Sequence, residues 1–128
     1  MAERMLFAGM DVGTSGCKML VYDLDGTIVY QSSRKYQEEG SDGYRELNPN
    51  LVMANVREVL KDVAKNCKDG ITAMAVTSLG ESVVCLDKDN KVLANSMLTG
   101  DCRGIPETQE IIDILGADRI FELSLIHI

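Results

Sequence analysis

One stretch constrains this chain more than any other: Leu6-Phe7-Ala8-Gly9-Met10-Asp11-Val12-Gly13-Thr14-Ser15-Gly16-Cys17-Lys18-Met19-Leu20-Val21-Tyr22-Asp23. An apolar run leads into an aspartate, a turn of glycine, threonine and serine follows, and a second apolar run returns. A fold that accepts this must pair two strands across a small, polar, phosphate-sized turn. The glycines permit φ > 0 and a close approach of backbone to ligand. Successive N–H groups of such a turn can share one concavity and hold an anion, with the Thr14 and Ser15 hydroxyls as further donors. Asp11 repels a phosphate directly but can meet one through Mg2+, which takes oxygen ligands and keeps several waters. The turn thus points to Mg-nucleotide chemistry. The same residue types dominate ordinary hairpin turns for local reasons, so a plain turn stays open. The dinucleotide fingerprint and the P-loop are excluded, because their glycines open a helix, whereas this turn lies between strands.

Composition narrows the function classes. At 128 residues with 45% apolar content, the chain can bury a core and is not disordered. A net charge of −7 argues against nucleic acid as a partner, which calls for a basic face. No apolar run approaches the ~20 residues that cross a bilayer, so no membrane partner is expected. The first residues lack the basic start and apolar stretch of a signal peptide, which gives a cytoplasmic expectation. Cys17, Cys67, Cys85 and Cys102 form no C-x-x-C pair and the one histidine is His127, so a zinc site is not expected. Reduced thiols are, with Cys17, Cys67 and Cys85 acting as small apolar side chains. The end, Phe121-Glu122-Leu123-Ser124-Leu125-Ile126-His127-Ile128, is apolar to the last residue. Domains usually end in a polar tail, so residues 1–128 read as one domain truncated at its C-terminal side. Its exposed apolar end is expected to bring two copies together as a homodimer.

The periodicities give a coarse order. Residues 5–10 and 17–22 read as strands. Asp25-Gly26 marks a hairpin turn, and residues 27–36 form a third strand of an antiparallel meander. A polar loop over 38–47 precedes Asn48-Pro49, an N-cap with proline at the first helical position. Val52, Val56, Val59, Leu60, Val63 and Cys67 recur at helical spacing, with Gly70 ending the region. Residues 71–77 read as a central strand, 82–86 and 91–98 as further strands, 106–115 as a helix closed by Gly116, and the final segment as the start of another element. A strand returning beside the first after a crossover helix gives a mixed sheet with flanking helices.

This order, with its motifs, resembles the ribonuclease H-like first domain of the actin, Hsp70 and sugar kinase superfamily, and most closely the FGGY carbohydrate kinases. Three stretches carry the resemblance: Gly9 to Lys18; Gly43-Tyr44-Arg45-Glu46-Leu47-Asn48-Pro49, similar to G-x-x-E-x-x-P; and Val76-Thr77-Ser78-Leu79-Gly80-Glu81 through Asp101-Cys102-Arg103. The resemblance implies an α/β, ribonuclease H-like fold and the N-terminal part of an ATP-dependent kinase acting on a sugar or polyol, xylulokinase-like in preference. ATP and Mg2+ would be its cofactors. Asp11 would approach the Mg-nucleotide, the ion held through water. Gly13, Thr14 and Ser15 would line the phosphate turn, with Lys18 near the phosphates or else a solvated strand charge. Glu81, Asp101 and Arg103 would face the sugar, largely exposed and short of partners. No catalytic base is assigned within the chain; it and most of the adenosine site would come from a missing C-terminal domain across a cleft. Thr99 stands where the family usually has Trp, and Leu79-Gly80-Glu81-Ser82 replaces the Q-M-H-G of typical xylulokinases, so the sugar stays open. The alternative is a non-enzymatic actin- or Hsp70-like nucleotide switch, which would need no sugar site between Glu81 and Arg103.

Overall fold

The computed structural model describes residues 5–124. β1 (Phe7–Val12), β2 (Gly16–Tyr22) and β3 (Ile28–Lys35) form the antiparallel meander that the apolar runs and the Asp25-Gly26 turn called for. The second turn is built as its sequence dictates. The Asp23 carboxylate accepts from the N–H groups of Asp25 and Thr27, and Gly26 takes φ 79°, a left-handed conformation that glycine adopts without steric cost. β4 (Glu46–Leu47) precedes α1 (Pro49–Asn66), whose N-cap Asn48 accepts from the N–H groups of Asn50 and Leu51. Such a cap contributes about 1 kcal/mol.

β5 (Ala73–Ser78) then returns parallel to β1, giving the sheet order β3-β2-β1-β5. Alternation sends Ala8, Met10, Cys17, Met19 and Val21 to one face, where they bury against Val56, Val59 and Val63 of α1. Each such valine, once fully buried, contributes about 1.5–3 kcal/mol. A polar tie fixes the helix to the edge of the meander: Asp62 accepts from Ser32 at 2.9 Å and pairs with Arg34 at 2.8 Å. On the opposite face of the sheet, which carries Asp11 and Lys18, no helix packs extensively among the described residues.

Beyond β5 the expectations are corrected in several places. Residues 71–77 were expected at the centre of the sheet; β5 is instead its edge, and all six of its residues are exposed. No ladder forms over 82–86. Glu81 takes φ 59°, which swings the chain out of the strand, and the Ser82 hydroxyl bonds to Ser96 and to the Met97 carbonyl. Only the bridge Leu86↔Val92 remains of the expected pairing. The strand expected over 91–98 shrinks to β6 (Ser96–Met97), which pairs with β4 in a short ribbon where a loop was expected. α2 (Ile105–Leu115) closes at Gly116, φ 79°, and α3 (Ala117–Ser124) is the last element among the described residues. Neither helix buries a residue. Cys85, expected on an apolar face, is exposed, whereas Cys17 and Cys67 are buried. Of the apolar end, residues 125–128 lie outside the described residues. Among the described residues no helix is long and apolar enough to cross a membrane.

Candidate functional site

The β1–β2 turn is held from within. Gly13 N–H donates to the Gly16 carbonyl at 2.9 Å, Tyr36 N–H to the Ser15 carbonyl at 3.2 Å, and the Tyr36 hydroxyl to the Gly13 carbonyl at 2.6 Å. Three carbonyls are thus occupied, while the N–H groups of Thr14 and Ser15 have no partner among the described residues. The reason for glycine differs from the one expected. Neither Gly13 nor Gly16 has a positive φ. A Cβ on Gly16 would instead lie 2.6 Å from the Arg34 carbonyl oxygen, so the need is close packing of β2 on β3.

Asp11 and Lys18 face one another across the β1–β2 pair, with Thr77 beside Asp11 on β5. The Asp11 side chain makes no hydrogen bond or ion pair among the described residues, and Asp11 and Lys18 line one surface hollow together with Thr14 and Ser15. No group of three acidic, histidine or cysteine side chains surrounds a metal position among the described residues. One free carboxylate beside unpartnered donors suits Mg2+, which needs only one or two protein ligands when a phosphate supplies others.

The tip after β5 reaches the same end of the sheet. β1 and β5 are parallel with Val12 opposite Ser78, and Leu79 N–H bonds the Val12 carbonyl at 3.0 Å. Glu81 stands exposed beyond it in the left-handed region. A glutamate there is uncommon, and such strain costs on the order of 1–3 kcal/mol unless the surroundings impose it. Ser82, anchored on β6, imposes it here.

Asp101 and Arg103 come to this end as well, but not as expected. The Asp101 side chain is only 4% exposed. Its carboxylate accepts from Arg45 N–H at 2.9 Å, Arg103 N–H at 3.0 Å, and Arg103 Nε and Nη2 at 2.9 and 2.6 Å. Arg103 also pairs with Glu46 at 2.6 Å and lies 4.7 Å over the Tyr44 ring. The expectation of exposed, under-partnered groups is overturned: the ribbon brings in Glu46 and Tyr44, which had been given no role. Bidentate pairing of this kind is strong and directional. The Arg103 guanidinium, then the Arg45 N–H, hold the Asp101 carboxyl well below the usual carboxylate range, and Asp101 in turn pushes Arg103 up. A carboxyl lowered in the folded state stabilises above its unfolded value of about 4. That contribution is lost as pH falls below about 4. The gap in thermal midpoint between the natural chain and Asp101→Asn should therefore narrow from pH 6 towards pH 2. A gap constant across that range would show that the pair contributes nothing through charge.

Arg45 links the two regions. Its guanidinium bonds Glu38 at 2.8 Å and the Thr99 carbonyl at 3.2 Å, and it lines a cavity of about 440 Å³ with Thr14, Ser15 and Tyr36. The structure therefore brings Asp11, Gly13, Thr14, Ser15 and Lys18 together around one turn, with Glu81 and the Asp101–Arg103 pair at the same end of the sheet. Tyr36 went unread in the sequence, and Tyr44, Arg45 and Glu46, though part of the G-x-x-E-x-x-P stretch, were given no role in the site. The one signal for Tyr36 was its place on the inward register closing β3.

The model of the FGGY family of carbohydrate kinases, N-terminal domain, matches residues 6–128. The chain is 31% identical over 120 residues to a xylulose kinase of Lactococcus lactis, a match covering 91% of this chain and 24% of the relative. Among solved structures it is similar to a gluconate kinase from Lactobacillus acidophilus, at TM-score 0.84 and 28% identity over 93% of this chain and 24% of that one. A xylulose kinase from Rhodospirillum rubrum follows at TM-score 0.85 and 25% identity, covering 91% of this chain and 25% of that one. The chain thus spans about a quarter of the length of the relatives it matches.

Proposed function

Because the chain belongs to the FGGY family of carbohydrate kinases, we propose that it supplies the phosphate turn and one wall of the sugar site of a longer, ATP-dependent sugar or polyol kinase, xylulokinase-like in substrate class. One observation carries this reading: the Asp11 carboxylate and the Thr14 and Ser15 N–H groups, all without partners among the described residues, share one hollow at the strand ends beyond which Glu81 stands. Ligands of open α/β sheets gather at such carboxyl ends.

In this reading a sugar hydroxyl attacks the γ-phosphorus in line, the bond to the bridging oxygen breaks and ADP leaves. Thr14, Ser15 and Lys18 orient the phosphates. Asp11 would hold Mg2+ through water, and that ion, when bound, offsets phosphoryl charge. Glu81 accepts from sugar hydroxyls and Arg103 donates to them. Asp101, being buried under Arg103, orients that guanidinium and does not itself touch the sugar. The base that takes the hydroxyl proton, and most of the adenosine site, come from the three quarters of the relatives' length not spanned here. That part also covers the open face of the sheet and closes over the site to exclude water. The free thiols of Cys17, Cys85 and Cys102 fit work in the reducing cytoplasm.

The test compares the 128-residue chain with a polypeptide extended to the relatives' full length. Supplied with ATP, Mg2+ and a panel of pentuloses, aldonates and polyols, the longer protein should release ADP with one of them and the chain alone with none. Sugar-dependent ADP release by the chain alone would refute the division of the site. A longer protein inert towards the whole panel would refute the kinase reading.

A further inference from the structure

Tyr36 follows directly on β3, is only 6% exposed, and meets the phosphate turn twice. Its hydroxyl donates to the Gly13 carbonyl at 2.6 Å and its backbone N–H to the Ser15 carbonyl at 3.2 Å. A trans peptide unit is planar, with its C=O and N–H on opposite sides. Fixing the Gly13 carbonyl on the Tyr36 hydroxyl therefore turns the N–H of Thr14, in the same peptide unit, away from that hydroxyl. The Ser15 carbonyl fixes the next-but-one unit in the same way, so the Thr14–Ser15 peptide is held between two immobilised planes. Without the hydroxyl, the Gly13–Thr14 unit is free to rotate, because glycine tolerates either orientation. A rotated unit would aim a carbonyl oxygen at an incoming anion in place of an N–H.

We propose that Tyr36 is a positioning residue for phosphate binding, its hydroxyl holding the Gly13–Thr14 peptide so that the turn presents N–H donors to phosphate oxygens. This rests on the reading of the turn given above. Burial, ahead of the charges of Cys17 and Asp11, pushes the Tyr36 hydroxyl up to about 12, so it keeps its proton, and the bond, throughout the working range of pH.

The experiment titrates the 15N-labelled chain with magnesium tripolyphosphate and follows the Thr14 and Ser15 amide resonances. The natural chain should show saturable shifts. Tyr36→Phe should bind about tenfold more weakly, the loss of one well-placed hydrogen bond, while the α1 amides of Val59 and Val63 stay in place. Should Tyr36→Phe fail to fold, 3,5-difluorotyrosine at position 36 keeps the ring and hydroxyl but ionises at lower pH. Its affinity should fall as that hydroxyl loses its proton, while the natural chain, measured at the same pH values, does not follow. Equal affinity in the natural and altered proteins overturns the role of Tyr36 and leaves the turn as a phosphate site. Absence of any shift at Thr14 and Ser15 in the natural chain overturns both.

Discussion

Asp11→Asn in the longer kinase proposed above is expected to lower kcat by about 10²–10³, the order lost when one preorganised electrostatic group is removed from a reacting centre, while the sugar KM stays unchanged. Asparagine keeps the shape of the side chain and removes its charge. The charge is what matters at this position: the Asp11 carboxylate has no partner of its own among the described residues, and it stands at the end of β1 beside Thr14 and Ser15. Steady-state kinetics with ATP and sugar varied separately make the distinction. A loss confined to the sugar KM would move Asp11 from the nucleotide to the sugar.

The second large effect concerns association. By light scattering at high concentration, the 128-residue chain should form dimers or larger species, and Val76→Lys should return it to a monomer with unchanged helix content. β5 reads Ala-Met-Ala-Val-Thr-Ser, is wholly exposed and lies at the edge of the sheet. It carries no charge, proline or bulge, the devices by which natural sheets blunt an edge. Val76 and Met74 are 59% and 47% exposed, so an added strand would bury apolar surface as well as satisfy backbone groups. A natural chain that remains monomeric at every concentration would show that the edge is not adhesive.

The parts that sequence made legible are those whose signals are local. The meander followed from short apolar runs and from Asp25-Gly26, and α1 from Asn48-Pro49 and the valine spacing, because each is decided within a few residues. The β4–β6 ribbon was not legible. It rests on contacts between residues more than fifty apart, such as Leu98 N–H to the Arg45 carbonyl and Arg45 N–H to Asp101. Ser82 defeated the expected strand at 82–86 by bonding to Ser96 and Met97, 14 and 15 residues further on. In the site, Asp11, Thr14 and Ser15 were readable because a turn gathers its own residues. Tyr36 was not, because its partner Gly13 lies across the meander. The partners of Arg103 were misjudged because Glu46 and Tyr44 arrive from the other side of α1 and β5 in sequence.

The contrast between Glu81 and the Asp101–Arg103 pair bears on where the proposed sugar site can vary. Arg103 is tied to Asp101, Glu46 and Tyr44, so altering any one strands the others and weakens the ribbon. Glu81 is exposed and has no side-chain partner among the described residues. Exposed substitutions of that kind usually change stability by no more than about 0.5 kcal/mol, and its left-handed backbone, φ 59°, would be eased by asparagine or glycine. In the proposed site, position 81 can therefore vary at almost no cost to folding, while a change at Arg103 or one of its partners weakens the frame behind it.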